Sequence, residues 1–291
     1  MSRTAIRGDH NGVSVDTSPV SPASERPVTG LPFLDRGRER GTVLAFAHRG
    51  GAKHPELAGL ENTLAAFEHA YALGYRYLET DVHATSDGVL MAFHDAVLDR
   101  VTDHVGAVAS TTYDVLAGAL IGGREPIPRM VDLLEAFPGA AFNIDLKSDA
   151  AVDLLADLVE RTGSHDRVCV GSFDDRRLAR FRSRVSRRVA TSYGPMSIGL
   201  SRFAPRAVAA RVLHGRGDAF QVPHRLRGVT LVTPGFIRRA HAGGHPVHVW
   251  TVDDPARMHA LLDVGVDGLM TDRTDVLKDV LVSRGQWEEP R

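Results

Sequence analysis

From residue 43 to residue 283 the chain alternates short apolar runs with amphipathic stretches, and this alternation limits its fold more than any other feature. The runs are 43–47 (VLAFA), 76–82 (RYLETDV), 141–146 (AFNIDL), 167–172 (RVCVGS), 187–192 (RRVATS), 218–222 (DAFQV), 246–251 (PVHVWT) and 267–271 (DGLMT). Their length and apolar content suit strands buried on both faces. Helical patterns fill the gaps at 63–72, 149–161, 174–183, 202–212, 234–242 and 255–263, and 274–283 follows the last strand. In 149–161, Val152, Leu155 and Val159 recur on one face, with Asp153, Asp157 and Glu160 elsewhere. Thr233-Pro234 and Asp254-Pro255 each set a capping side chain before a proline at the first helical position. Eight strand–helix repeats predict an α/β fold, a parallel (β/α)8 TIM barrel, for which roughly 250 residues is the usual size.

One run is left over. Residues 89–94 (VLMAFH) follow Asp87-Gly88, a tight-turn signal, and a parallel partner would need a long crossover. A small hairpin or loop excursion after strand 2 is therefore expected. The stretch 95–130, with Gly106, Gly118, Gly122, Gly123, Pro126 and Pro128, reads as a lid or specificity loop over the mouth, or as an inert connection. Residues 1–40 are rich in Ser, Pro, Gly and charge. They read as a flexible leader, docked at most near LPFL (31–34), before a catalytic domain at 41–286.

Lys+Arg total 35 against Asp+Glu 36, a net charge of −1, which gives no reason to expect a nucleic-acid partner. The arginines at 176, 177, 180, 182, 184, 187 and 188 read as a solvated helix face and loop. The single cysteine, Cys169 in VCVGSF, reads as a buried strand residue. It allows no disulfide within the chain and fits a reducing cytoplasm. No apolar segment follows Arg3 and Arg7 as in a secretory signal, and none approaches the ~20 residues of a membrane helix. A cytoplasmic protein with no transmembrane segment is expected.

In a barrel of this kind the reactive groups lie at the C-terminal ends of the strands. His48 ends the first run, Glu79 and Asp81 the second, and Asp145 and Lys147 the third; His94 closes the excursion. Glu79 and Asp81 are two apart and so share a face, where they can share one hard cation. Asn143, Asp145 and Lys147 share a face for the same reason. Histidines move protons near neutral pH, and Arg49 can grip a phosphate. Metal-assisted chemistry on a phosphate ester follows. Each residue also has a plainer reading. Glu79 and Asp81 can be surface acids, and Asp145 with Lys147 a surface ion pair. His48 and Trp250 can be core residues, His94 can cap the hairpin, and Asn62 can cap the helix beginning at Thr63.

Order and spacing favour the first reading. The run AHRGG…LENTLAAFEHAYALGYRYLETDVHATSDGVLMAFHD closely resembles the signature of the glycerophosphodiester phosphodiesterase family: His-Arg-Gly, Glu-Asn-Thr, Glu-x-Asp, His-Asp. NIDLK at 143–147 and VWTVDD…GVDGLMTDR resemble its later motifs, so that the resemblance spans about residues 43–283. It implies a TIM-barrel hydrolase that uses a divalent cation, Mg²⁺ or Ca²⁺. The substrate implied is a small glycerophosphodiester, cleaved to sn-glycerol 3-phosphate and an alcohol such as choline or ethanolamine. By motif, Glu79, Asp81 and Asp145 are the implied metal ligands, Asp145 standing where many members have glutamate. His48 and His94 are the implied acid–base pair. Arg49 and Lys147 are implied to bind phosphate, and Glu61 and Trp250 to line the site. Sphingomyelinase D-type enzymes are similar but typically secreted and disulfide-bonded. A lysophospholipase D-like or sphingomyelinase D-like activity on lipids, and a non-catalytic binding barrel, stand as alternatives.

Overall fold

The computed structural model describes residues 26–203, 206–226 and 228–287. The parallel strands are β1 (Leu44–His48), β2 (Tyr77–Ala84), β4 (Ala141–Leu146), β5 (Val168–Gly171), β6 (Ala190–Thr191), β7 (Phe220–Pro223), β8 (Val247–Trp250) and β9 (Gly268–Thr271), while β3 (Leu90–Ala92) stands apart. The parallel sheet runs β6-β5-β4-β2-β1-β9-β8-β7. A parallel bridge from Ser192 to Ala219 joins its two outer strands. All eight expected barrel strands are present. β3 pairs antiparallel with the far end of β2, Val82 opposite Ala92, which is the expected excursion.

The helices begin where the capping chemistry puts them. In α2 (Leu64–Ala72), Thr63 Oγ1 accepts the amide of Ala66. The cap is thus Thr63, and Asn62 is free for another task. Thr233 and Asp254 cap helices Pro234–His241 and Pro255–Asp263. The expected 202–212 helix is met by Arg206–Leu213, and a further helix, Pro195–Phe203, comes before it in the chain.

Two apolar layers hold the barrel. Leu78, Ile144, Val170, Val222, Val249 and Leu269 point outward against the helices. Inside, small residues at Ala141, Cys169, Ala190 and Ala219 leave room for Phe46 and Tyr77. Gly268 belongs to this economy, since a Cβ there would stand 2.8 Å from the His248 ring and 2.9 Å from Phe46. Cys169 is buried, as expected, and burial pushes its thiol pKa well up.

Residues 26–40, assigned from the sequence to the leader, include helix α1 (Pro32–Glu39). Phe33 is 1% exposed, meets Tyr77 edge-on at 5.1 Å, and its carbonyl accepts the Tyr77 hydroxyl at 2.8 Å. The helix thereby caps the inner core from below. Residues 1–25 lie outside the described residues. The arginine-rich stretch forms an ion-paired face: Arg177 meets Asp149, Arg180 and Arg184 meet Asp153, and Arg188 meets Asp218. Among the described residues no helix is long and apolar enough to cross a membrane.

Candidate active site

Strand register sets the site. In the β1–β2 pair His48 lies opposite Glu79. In the β2–β4 pair Glu79 lies opposite Asn143 and Asp81 opposite Asp145, and in the β4–β5 pair Asp145 lies opposite Gly171. The alternation of strand residues turns these side chains inward at two successive levels. They line a cavity of about 490 Å³ at the C-terminal ends of the strands, together with His48, Arg49, His94, Lys147 and Trp250. His94 is brought in from the excursion, where Phe93 N–H donates to Asp81 O at 2.9 Å and His83 Nε2 lies 3.1 Å from the His94 carbonyl.

Eight of the nine sequence-nominated residues meet in this one cavity. Glu61 is the exception. It stands behind Arg49, bonded to Arg49 Nη1 at 3.2 Å and to Arg100 Nη1 and Nη2 at 2.9 and 2.7 Å. The 95–130 stretch adds no lining side chain. It folds beside β3 around Leu98, Val108, Leu116 and Ile121. The cavity's outer wall comes instead from Phe173, Pro195, Ile198, Leu226 and Leu231.

Arg49 and Asn62 both hold left-handed backbone, with φ of 50° and 60°. Asn62 N–H donates to the Arg49 carbonyl at 2.9 Å, and Asn62 Nδ2 lies 3.4 Å from Asp81 Oδ2. Thr80 Oγ1 donates to Asn62 Oδ1 at 2.8 Å. Asn62 is therefore a strut between the Arg49 turn and Asp81. Such strained backbone persists only where its surroundings enforce it, and it clusters at functional sites. Arg49 N–H donates to Glu79 Oε2 at 3.1 Å, and its Nε stands 3.2 Å from Asp81 Oδ2, out of line for a hydrogen bond.

Each histidine has a carboxylate on one nitrogen. His48 Nδ1 is 2.6 Å from Asp272 Oδ1, and its Nε2 is 3.8 Å from Glu79. Asp272 is held in turn by Lys53 Nζ at 3.0 Å. His94 Nδ1 is 2.5 Å from Asp95 Oδ1, and Asp95 also takes Arg100. With Nδ1–H donated to a carboxylate, the free lone pair lies on Nε2, the arrangement an acid–base imidazole needs. Neither Asp272 nor Asp95 was singled out from the sequence. Asp95 sits inside the His-Asp motif. Asp272 sits inside TDR, 224 positions from its partner, so only the motif hinted at it.

The electrostatics are tense. Burial pushes Glu79 up to about 7, with Asp81 adding to the rise against the pull of His48, Arg49 and Lys147. Burial also raises Asp145. At Asp81 burial acts upward too, but Lys147 and Arg49 outweigh it and the pKa falls. For His48, burial alone would lower the pKa; the charges of Glu79 and Asp272 overcome this and raise it. Lys147 Nζ sits 3.0 Å from Asp81 and 2.5 Å from Asp145. The oxygens of Glu79, Asp81 and Asp145 consequently do not all come within 4.8 Å of one another, as a closed ion cage would require. Three oxygen donors, two of them with pKa values raised by burial, nonetheless fit a hard divalent cation.

Fold and site together define a barrel enzyme with paired imidazoles beside clustered carboxylates. The sequence pattern of the glycerophosphoryl diester phosphodiesterase family matches residues 48–276. A Mycobacterium tuberculosis protein named "Probable glycerophosphodiester phosphodiesterase 2" is 40% identical over 263 residues, covering 89% of this chain and 98% of that protein. A lysophospholipase D from Mus musculus is 27% identical over 84% of this chain and 88% of its own length. The crystal structure of a glycerophosphodiester phosphodiesterase from Parabacteroides distasonis superimposes with a TM-score of 0.68 at 25% identity, covering 83% of this chain and 98% of that one. A phosphodiesterase from Oleispira antarctica, in complex with the product sn-glycerol-3-phosphate, gives 0.71 at 21% identity over 84% and 98%. The chain belongs to the glycerophosphoryl diester phosphodiesterase family, and so to the phosphoric diester hydrolases.

Proposed function

We propose that this protein cleaves small glycerophosphodiesters, such as glycerophosphocholine and glycerophosphoethanolamine, to sn-glycerol 3-phosphate and an alcohol by two-histidine acid–base catalysis. The observation that carries this reading is the meeting of His48, His94, Arg49, Lys147 and three carboxylates in one cavity. Glu79, Asp81 and Asp145 would hold a Mg²⁺ or Ca²⁺, which when bound neutralises charge on the phosphate oxygens. Arg49 and Lys147 bind the same oxygens and orient the phosphorus between the imidazoles. One imidazole Nε2 removes the proton of the attacking hydroxyl, either from water, giving the monoester directly, or from the glyceryl group, giving a cyclic phosphate that water then opens. The other protonates the departing alkoxide. Asp272 and Asp95 keep each ring in the required tautomer. The buried lone thiol suits a cytoplasmic setting.

The test is turnover of glycerophosphocholine. His48→Ala and His94→Ala are each expected to lower kcat by about 10²-fold or more. Chelation abolishes activity, and Mg²⁺, Mn²⁺ or Ca²⁺ restores it. Parent rates in both variants, or full activity in excess chelator, would overturn the proposal.

A lipid substrate is the second reading, and the outer wall favours it. Phe173 after β5, Met196 in the helix after β6, and Leu226 and Val229 in a short antiparallel hairpin after β7 are 64%, 68%, 54% and 54% exposed. An exposed apolar rim of this kind marks contact with an apolar ligand. Faster release of choline from lysophosphatidylcholine than from glycerophosphocholine decides for this reading.

A further inference from the structure

We propose that His54, Glu56 and His69 form a second metal site, suited to zinc and separate from the acidic cavity. The loop after β1 brings His54 to the start of a single 3₁₀ turn, Pro55–Leu57, and α2 carries His69 beside it. The two imidazole rings lie 4.2 Å apart between centroids, and Glu56 Oε2 stands 3.4 Å from His69 Nε2. One nitrogen from each ring and one Glu56 oxygen all lie within 4.8 Å of one another, the one such grouping of His, Cys, Asp and Glu among the described residues. Tetrahedral zinc takes this donor set, with bonds of about 2.0–2.2 Å and an open fourth position. The donors need to draw in by roughly an ångström, and the Glu56 side chain, 75% exposed, is free to do so.

The plainer reading is a turn-capping histidine beside a surface ion pair. It accounts for His54 Nδ1, which accepts the Glu56 amide at 3.2 Å. It leaves His69 Nδ1 buried without a hydrogen-bond partner, and it gives no reason for a second imidazole against the first. At His54 the lone pair is on Nδ1, where it now accepts the Glu56 amide, and the ion would replace that amide as its partner. Two imidazole nitrogens with one carboxylate also differ from the three carboxylates proposed to hold the cavity's cation, a donor set of hard oxygens. An ion here would tie the loop carrying Arg49 and Lys53 to α2, through residues that do not line the cavity.

The test counts zinc bound to metal-stripped protein by equilibrium dialysis with mass spectrometry. A Glu79→Gln/Asp81→Asn variant, silenced in the cavity, is expected to retain one zinc per chain. Adding Glu56→Gln or His69→Ala to it weakens that binding by at least about tenfold. Glu56→Gln in the parent, an exposed change without consequence for folding, also loses one zinc. Cobalt in the silenced variant gives the strong visible bands of a four- or five-coordinate ion, and these vanish with His69→Ala. No zinc on the silenced variant, or uptake indifferent to both Glu56→Gln and His69→Ala, overturns the site.

Discussion

At the scale of residues, the proposed mechanism turns on the carboxylate that holds Nδ1 of each imidazole. Asp272 raises the His48 pKa through its hydrogen bond and charge. In Asp272→Asn the charge is gone and the tautomer is no longer fixed, so kcat falls by about 10²-fold. The limb of the pH–rate profile governed by His48 moves to lower pH, whichever of acid or base His48 serves as. A limb that stays in place or moves up would separate Asp272 from His48. Glu79 makes a prediction of opposite character. Its folded pKa, about 7, lies above the ordinary 4.5, so its contribution to stability is present below pH 4.5 and is lost as pH rises through 7. His48, raised as well, acts in the same direction. Thermal unfolding in chelator should show Glu79→Gln more stable than the parent at pH 8, with the difference gone near pH 4. Equal melting at both values counts against a strained acid.

Among the elements, α1 does more than lead into the barrel. Tyr77 stacks edge-on against Phe33, and Asp35 accepts the amides of Thr29 and Gly30 at 2.9 and 2.8 Å, which fixes the approach to the helix. Phe33→Ala should cost about 3–5 kcal/mol in denaturant unfolding while the folded fraction keeps its turnover, because the ring lies below the core, away from the cavity. A loss under 1 kcal/mol would make the helix an ornament. The strands were legible in the sequence because a doubly buried strand is an apolar run, and every run named became one. Helix α1 was not. Its PFLDRGRE holds two large apolar residues beside four charged ones, and Gly37 breaks the helical expectation. Tertiary burial of Phe33 and Leu34, invisible to periodicity, holds it in place. In the site, Glu79, Asp81 and His94 were legible because chemistry and spacing coincide. Asn62 and Asp272 make contacts distant in sequence, and nothing local distinguishes such residues from caps and surface acids, whereas Asp95 sits beside the His94 it contacts.

Taken whole, the barrel is unevenly sewn. β2 and β4 pair over six positions, whereas β6 and β7 meet through the Ser192–Ala219 bridge and its surroundings, with Asp218 N–H and Ala219 N–H donating to Thr191 O at 2.8 and 3.3 Å and Tyr193 N–H to Ala219 O at 2.9 Å. Amides of 190–193 and 218–219 should therefore exchange with solvent sooner than those of 78–82 and 142–146. Uniform protection around the ring would rule this out. The cavity straddles that seam, with Ser192 and Tyr193 on its wall and Asp81 and Asp145 on the firm side. On the firm side Lys147 divides one ammonium between two acids. In the proposed mechanism, a phosphate that attracted this ammonium would leave both acids short of positive charge, and a divalent ion that satisfied them would release it. Each ligand would then raise the affinity for the other by the same factor, as linkage requires.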